Sequence, residues 1–318
     1  MAERPVRVLF LGGLGRSGTT LIERVLGELP GAVALGEVVH LWERSLLRDE
    51  LCGCGNPFSE CPFWTQVGAL GFNGWDRVDR ARVSWLRERV DRTRFIPRLA
   101  RRTRSAADTA LLTEYLGYYL TVYAAAARVS GAGVVIDSSK HPSLAFCLRA
   151  AGLDLRVLHC VRDSRAVAYS WTREVPRPEA VVDAELMTRY APAKAALLWN
   201  SHNAAFGLLR RLGAPTLRVR YEDFAAAPEQ TTRAIAAFAG LPVADGELSF
   251  LSQGQAVLSP GHTTSGNPMR FRTGIVAIQP DQAWRHGLPA AQRRAVTALT
   301  LPLLTRYRYL PAGAGDHT

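Results

Sequence analysis

Residues 6–21, VRVLFLGGLGRSGTTL, constrain this chain more than any other stretch. Val6–Leu11 is a continuous apolar run, the pattern of a strand buried on both faces. It ends in a glycine-rich turn, and the spacing predicts a helix from about Thr19 to Leu29, stopped by Pro30 and Gly31. A strand, a glycine turn and a helix in that order aim backbone N–H groups and a helix N-terminus at one point, which makes an anion site. The interval from Gly13 to Gly18 is that of a phosphate-binding P-loop, but Thr19 stands where the P-loop lysine belongs. That lysine normally reaches the terminal phosphates of a nucleoside triphosphate, so kinase or NTPase chemistry is disfavoured. Arg16 within the turn is free to hold a terminal phosphate or sulfate instead.

The same alternation continues along the chain. Short apolar runs at Ala32–Leu35, Val134–Asp137, Leu155–Val161 and Thr216–Val219 read as strands, with helices from about Pro142 to Ala151, after Arg162-Asp163, and over 183–212. Strands alternating with helices give an α/β fold with a central parallel sheet covered on both faces, a three-layer, P-loop-like architecture. Ligands of such sheets bind beyond the carboxyl ends of the strands. Residues 38–130 read as mainly helical apart from a cysteine-rich loop. We therefore expect a single domain, 1–318, with 38–130 an insertion on the acceptor side. Thr109–Val129 is the most apolar stretch, but it carries Glu114 and several tyrosines and reads as a buried helix rather than a membrane span. The first apolar run is too short for a signal peptide, so a cytoplasmic location is expected.

The segment GRSGTTL, followed by a helix and then Gly36-Glu37, resembles the 5′-phosphosulfate loop of the sulfotransferases that use 3′-phosphoadenosine-5′-phosphosulfate (PAPS), closest in style to the tyrosylprotein and bacterial branches. Arg162, at the end of a strand, and Ser170, eight residues on, fit that family's 3′-phosphate motif; two helical turns bring them near one face. Tyr221 in VRYEDF resembles the family's nucleotide-side tyrosine, and the 266–274 stretch, GNPMRFRTG, resembles its basic loop over the 3′-phosphate. The resemblance implies that Gly15, Arg16, Ser17, Gly18, Thr19, Thr20, Arg162, Ser170, Tyr221, Arg270, Arg272 and Gly274 hold PAPS, with PAP as product; which of Arg270 and Arg272 makes the contact stays open. It covers residues 6–40 and 134–285 and does not extend to 41–130.

In-line sulfuryl transfer needs positioning, positive charge at the leaving oxygen and a base for the acceptor proton. Glu37 is the first choice of base, by similarity to the Gly-Glu pair of the tyrosylprotein enzymes; His141, before Pro142, and His40 are its rivals. Arg16 and Lys140 would hold the sulfuryl group and the bridging oxygen. Only two lysines occur in this arginine-rich chain, and a compact ammonium suits a point charge better than a planar fork does. No metal is expected in the reaction.

Cys52, Cys54 and Cys61 place three thiols within ten residues. A packed loop, a Cys54–Cys61 disulfide and a metal site with His40 as fourth ligand all stay open. His262 is read either as a support of the 266–274 loop or as an ordinary structural histidine. Cys147 and Cys160 read as core thiols.

Lys plus Arg exceed Asp plus Glu by 39 to 28, yet residues 77–104 alone hold eleven arginines against three acids. Val83, Leu86 and Val90 there form one apolar stripe of a helix expected to break at Pro97. That basic face fits solvation, an anionic acceptor or contact with an anionic membrane surface. Aromatic residues are too sparse in it for nucleic acid, which we do not expect as a partner. Trp42, Phe63, Trp64, Tyr115, Tyr118 and Tyr119 are candidates to line an apolar acceptor pocket, with core packing as their ordinary alternative. The function so implied is PAPS-dependent sulfation of a hydroxyl on a small-molecule, lipid or glycan acceptor. A P-loop small-molecule or nucleoside kinase and a non-catalytic nucleotide- or RNA-binding protein are the alternatives.

Overall fold

The computed structural model describes residues 6–179 and 186–310. Five parallel strands, β1 (Arg7–Gly12), β2 (Ala32–Ala34), β3 (Val134–Lys140), β4 (Asp154–Val161) and β5 (Thr216–Arg220), lie in the order β2-β3-β1-β4-β5. Alternation along the central strand explains its continuous apolar run. Val8 and Phe10 face one core cluster and Leu9 and Leu11 the other, so both faces are buried. Each such side chain contributes about 1.5–3 kcal/mol on burial.

One helix, α1 (Thr19–Gly27), follows β1 directly. The insertion between β2 and β3 holds α2 (Pro62–Phe72), α3 (Arg80–Val90), the short α4 (Ile96–Leu99) and α5 (Ala106–Ser130). Beyond it come α6 (Pro142–Ala150), α7 (Ser164–Thr172), α8 (Pro192–Arg211), α9 (Tyr221–Ala226), α10 (Pro228–Ala239), α11 (Trp284–Gly287) and α12 (Ala290–Arg306). A small antiparallel sheet of β6 (Leu251–Ser252), β7 (Gln255–Leu258) and β8 (Gly274–Ala277) was not foreseen from the sequence.

Two helix boundaries differ from expectation. The long helix placed over 183–212 starts only at Pro192, which sits in its first turn; residues 183–185 lie outside the described residues. The basic helix expected to run to Pro97 stops at Val90. There Asp91 leaves helical geometry, and its buried carboxylate accepts a hydrogen bond from Tyr115 Oη at 2.8 Å. Pro97 instead sits in the first turn of α4. The expected apolar stripe is present: Val83, Leu86 and Val90 are all buried.

The strand order positions the site. After β3 the chain crosses from one side of β1 to the other, and at such a reversal the loops beyond the strand ends part to leave a crevice. Among the described residues, no helix is long and apolar enough to cross a membrane.

Candidate active site

A cleft of about 760 Å³ opens along the carboxyl ends of the five strands. The loop after β1 forms its floor. Gly18 caps α1 with φ 83°, and a Cβ there would fall 2.1 Å from the Tyr221 ring, so only glycine lets the loop lie on that ring. Arg16 also adopts the left-handed region, φ 74°, where a non-glycine residue is strained. Its Nη2 lies 3.3 Å from Met187 Sδ, while its buried Nε has no hydrogen-bond partner. Burial pushes the Arg16 guanidinium below its ordinary value, against the raising pull of Glu37. A strained, desolvated cation with an unmet donor is a ready anion ligand.

Glu37 and Lys140 meet across the ends of β2 and β3 and form an ion pair. Lys140 is the second strained residue of the cleft, at φ 66°, where the pairing of β1 with β3 shifts register. Burial alone would raise the Glu37 carboxyl, but the charges of Lys140 and His40 outweigh it and hold the group at about 2. His40 Nε2 lies 3.5 Å from Glu37, and the His40 and His141 rings meet edge to face at 5.7 Å. Burial lowers the basicity of both imidazoles. All three candidate bases thus form one cluster beside Lys140.

Two contacts fix the Glu37 backbone. Glu23, buried in α1, accepts hydrogen bonds from Gly36 N and from Ser138 Oγ, both at 2.7 Å. Behind it, Gly36 bridges in parallel to Thr264, whose N–H donates to Leu35 O at 2.8 Å. Gly36 has φ 82°, and a Cβ there would sit 2.4 Å from Thr264 O. The Gly-Glu pair therefore depends on a glycine for both conformation and close approach.

On the other side of β1, Arg162 donates to Arg16 O at 2.9 Å and to Asp281 Oδ2 at 2.5 Å, and lies over the Tyr221 ring. Ser170, Tyr221 and Arg272 line the same cleft. So do Gly15, Arg16, Gly18, Thr19, Thr20, Glu37, Lys140, His141 and Arg162. Ser17 is buried beneath the loop and Gly274 is an exposed residue at the start of β8; neither lines the cleft.

Arg270 is also turned away. It is 1% exposed, donates to Thr263 O and Leu51 O at 2.7 Å each, and lies over Phe271. Between the two arginines of that loop, the geometry therefore favours Arg272 for a ligand contact. The proposed aromatic lining is core instead: Trp42, Phe63, Trp64, Tyr115 and Tyr119 are buried, Tyr118 stacks on Phe72, and none borders the cleft. Their place is taken by residues the sequence did not flag, among them Arg44, Trp171, Met187 and His202. Trp171 had one legible signal, its position one residue after Ser170; its Nε1 donates to Gly15 O at 3.1 Å.

His40 does not join the cysteines, as the metal alternative required. His262 does, with Nδ1 3.3 Å from Cys61 Sγ. The Cys54 and Cys61 sulfurs are 3.7 Å apart, and all five cysteines are thiols.

The model of a family described as "Sulfotransferase family" matches residues 8–245. The chain belongs to the sulfotransferase family. Sulfuryl transfer is thus the general chemistry of its kind. The sulfotransferase domain of the olefin synthase from Synechococcus PCC 7002 is similar in fold, with TM-score 0.52 and 21% identity, covering 95% of this chain and 96% of that one. A sulfotransferase from Mycobacterium avium matches with TM-score 0.47 and 14% identity, covering 96% of this chain and 77% of that one. No curated protein matches the chain.

Proposed function

We propose that this sulfotransferase moves the sulfuryl group of PAPS onto a hydroxyl of a small-molecule, lipid or glycan acceptor. The observation that carries the reading is the Glu37–Lys140 ion pair in the same cleft as the strained, partly unsatisfied Arg16. A base and two cations then border one anion-binding loop, the set that in-line transfer to a hydroxyl requires.

In this reading the 13–20 loop cradles the 5′-phosphosulfate, and Arg162, Ser170 and Arg272 take the 3′-phosphate beside Tyr221. The acceptor oxygen forms a bond to sulfur as the bond from sulfur to the bridging oxygen breaks. The electron pair of that bond leaves on PAP, and the acceptor proton passes to Glu37. Arg16 and Lys140 stabilise the charge growing on the bridging oxygen. Lys140 has a second task. While it holds Glu37 near 2, the carboxylate is ionised but a weak base. As Lys140 turns toward the donor, that hold relaxes and burial raises the basicity of Glu37. Donor binding thereby arms the base. We treat residues 38–130 as the acceptor side of the same domain, because His40 and Arg44 border the cleft from it.

Thermal denaturation with PAP and with ATP plus Mg²⁺ tests the donor. A ligand at 100 times its Kd stabilises by about 2.7 kcal/mol. PAP is expected to raise Tm and ATP to leave it nearly unchanged; the opposite result favours the kinase alternative. Glu37→Gln is expected to lower kcat by about 10²- to 10⁴-fold with PAP affinity kept. Nearly intact turnover in Glu37→Gln together with its loss in His141→Ala would move the base to His141.

A further inference from the structure

Away from the reacting groups, Cys52, Cys54, Cys61 and His262 bring their ligand atoms within 4.8 Å of one another. A tetrahedral zinc ion with metal–sulfur bonds of about 2.3 Å holds its sulfurs about 3.75 Å apart. The Cys54–Cys61 separation of 3.7 Å matches that edge, and the 3.3 Å from Cys61 Sγ to His262 Nδ1 approaches the mixed edge. Two ligands are buried and two partly buried, so water is largely excluded from the centre.

The surroundings are built around the four. Gly55 N–H closes a tight turn on Cys52 O at 2.8 Å, which aims the first two sulfurs to one side. Phe63 stacks on the His262 ring at 5.2 Å, and Trp64 Nε1 donates to His262 O at 2.8 Å, fixing where Nδ1 points. Arg270 donates to the carbonyls of Leu51 and Thr263, the neighbours in sequence of Cys52 and His262. Three thiolates and a dication sum to −1, and the Arg270 guanidinium brings the compensating charge. Supporting contacts of this kind orient metal ligands.

We propose that Cys52, Cys54, Cys61 and His262 bind one structural zinc ion, which fastens the 262–266 segment against the strand end that carries Glu37. Binding displaces the protons of the three thiols to solvent, and the imidazole ligates in its neutral form. With all four positions filled by protein, the ion has no open site for substrate, so its role is to hold and not to react. It joins a loop at 52–61 to a residue about 200 positions on, a link that a purely packed interface would have to make with far less directional force.

Metal analysis of the full chain, purified under reducing conditions from zinc-supplemented cells, is the decisive measurement. About one zinc per chain is expected. Replacement by Co²⁺ should give the near-ultraviolet thiolate charge-transfer band and the strong visible bands of a tetrahedral site. Cys61→Ser and His262→Ala should each lose zinc and lower Tm, whereas Cys160→Ser, a core thiol elsewhere, should keep it. If either ligand variant fails to fold, the wild-type zinc content and cobalt spectrum decide alone. Zinc well below one per chain with no cobalt spectrum, or a Cys54–Cys61 disulfide in freshly purified protein, would overturn the proposal.

Discussion

Individual side chains in this cleft are held away from their ordinary electrostatic and conformational states. Glu37 sits at about 2, ionised throughout the working range, because Lys140 and His40 overcome its burial. As the proposed base, its own titration should therefore give no acid limb in kcat/KM, since a group with so low a pKa stays charged as pH falls to moderately acid values. In Lys140→Met the largest lowering influence is gone while burial remains. An acid limb should then appear and move upward, alongside the loss of turnover, as read from kcat/KM over the acid range. Gly36→Ala is the companion test of geometry: with no room beside Thr264 O, it should displace Glu37 and cost activity about as severely as removing the carboxylate. Much of this was legible as residue identity, since Gly-Glu, Lys140 and the arginine of the loop all stood out in the sequence. The Lys140–Glu37 pairing was not, because 103 residues separate the two and only the shared strand edge unites them.

At the scale of elements, α1 and the ends of β2 and β3 are tied through Glu23. Burial, only partly offset by the Ser138 hydrogen bond, raises this carboxyl from 4.5 to about 7. The folded state therefore holds the proton more tightly than the unfolded chain. That contribution is fully present below about 4.5 and is lost as pH rises through about 7. Wild-type Tm should fall across this window by more than that of Glu23→Gln, which has no proton to lose; thermal denaturation over the pH series checks it. In the insertion, Leu86 of α3 is fully buried, so Leu86→Ala should cost about 2–5 kcal/mol of stability while leaving PAP affinity unchanged. Strands and their following helices were readable because each bears its own apolar period and its own breaker. The ends of the basic helix were not, because Asp91 is drawn to Tyr115 on another helix, a contact that no local pattern encodes.

Across the whole molecule, the positive charge separates into two populations. A few cations border the cleft, while the arginines of 77–104 are largely occupied at home. Arg82 pairs with Glu114, Arg98 with Asp108 and Arg92 with Glu88, and Arg82 and Arg89 lie over Trp85. With these arginines so engaged, we expect co-sedimentation with phosphatidylserine vesicles to recover little protein at physiological salt. Of the two readings the sequence left for the 42–119 aromatics, acceptor lining or core packing, the structure has core packing. Large apolar side chains at helical spacing are first of all what joins helices, and here α2 and α5 use them that way.

The parallel bridge from Gly36 to Thr264 has one more consequence, for the order of events at the ribosome. The strand end bearing Glu37 is clasped by a segment made more than 200 residues after it. A nascent chain that has reached residue 245, where the recognisable family match ends, already has all five parallel strands. It lacks the clasp, the cleft wall at 266–277 and the fourth member of the cysteine cluster. The strand end bearing Glu37 should therefore gain its fixed place only after the clasping segment has been made, well after the sheet it belongs to is complete.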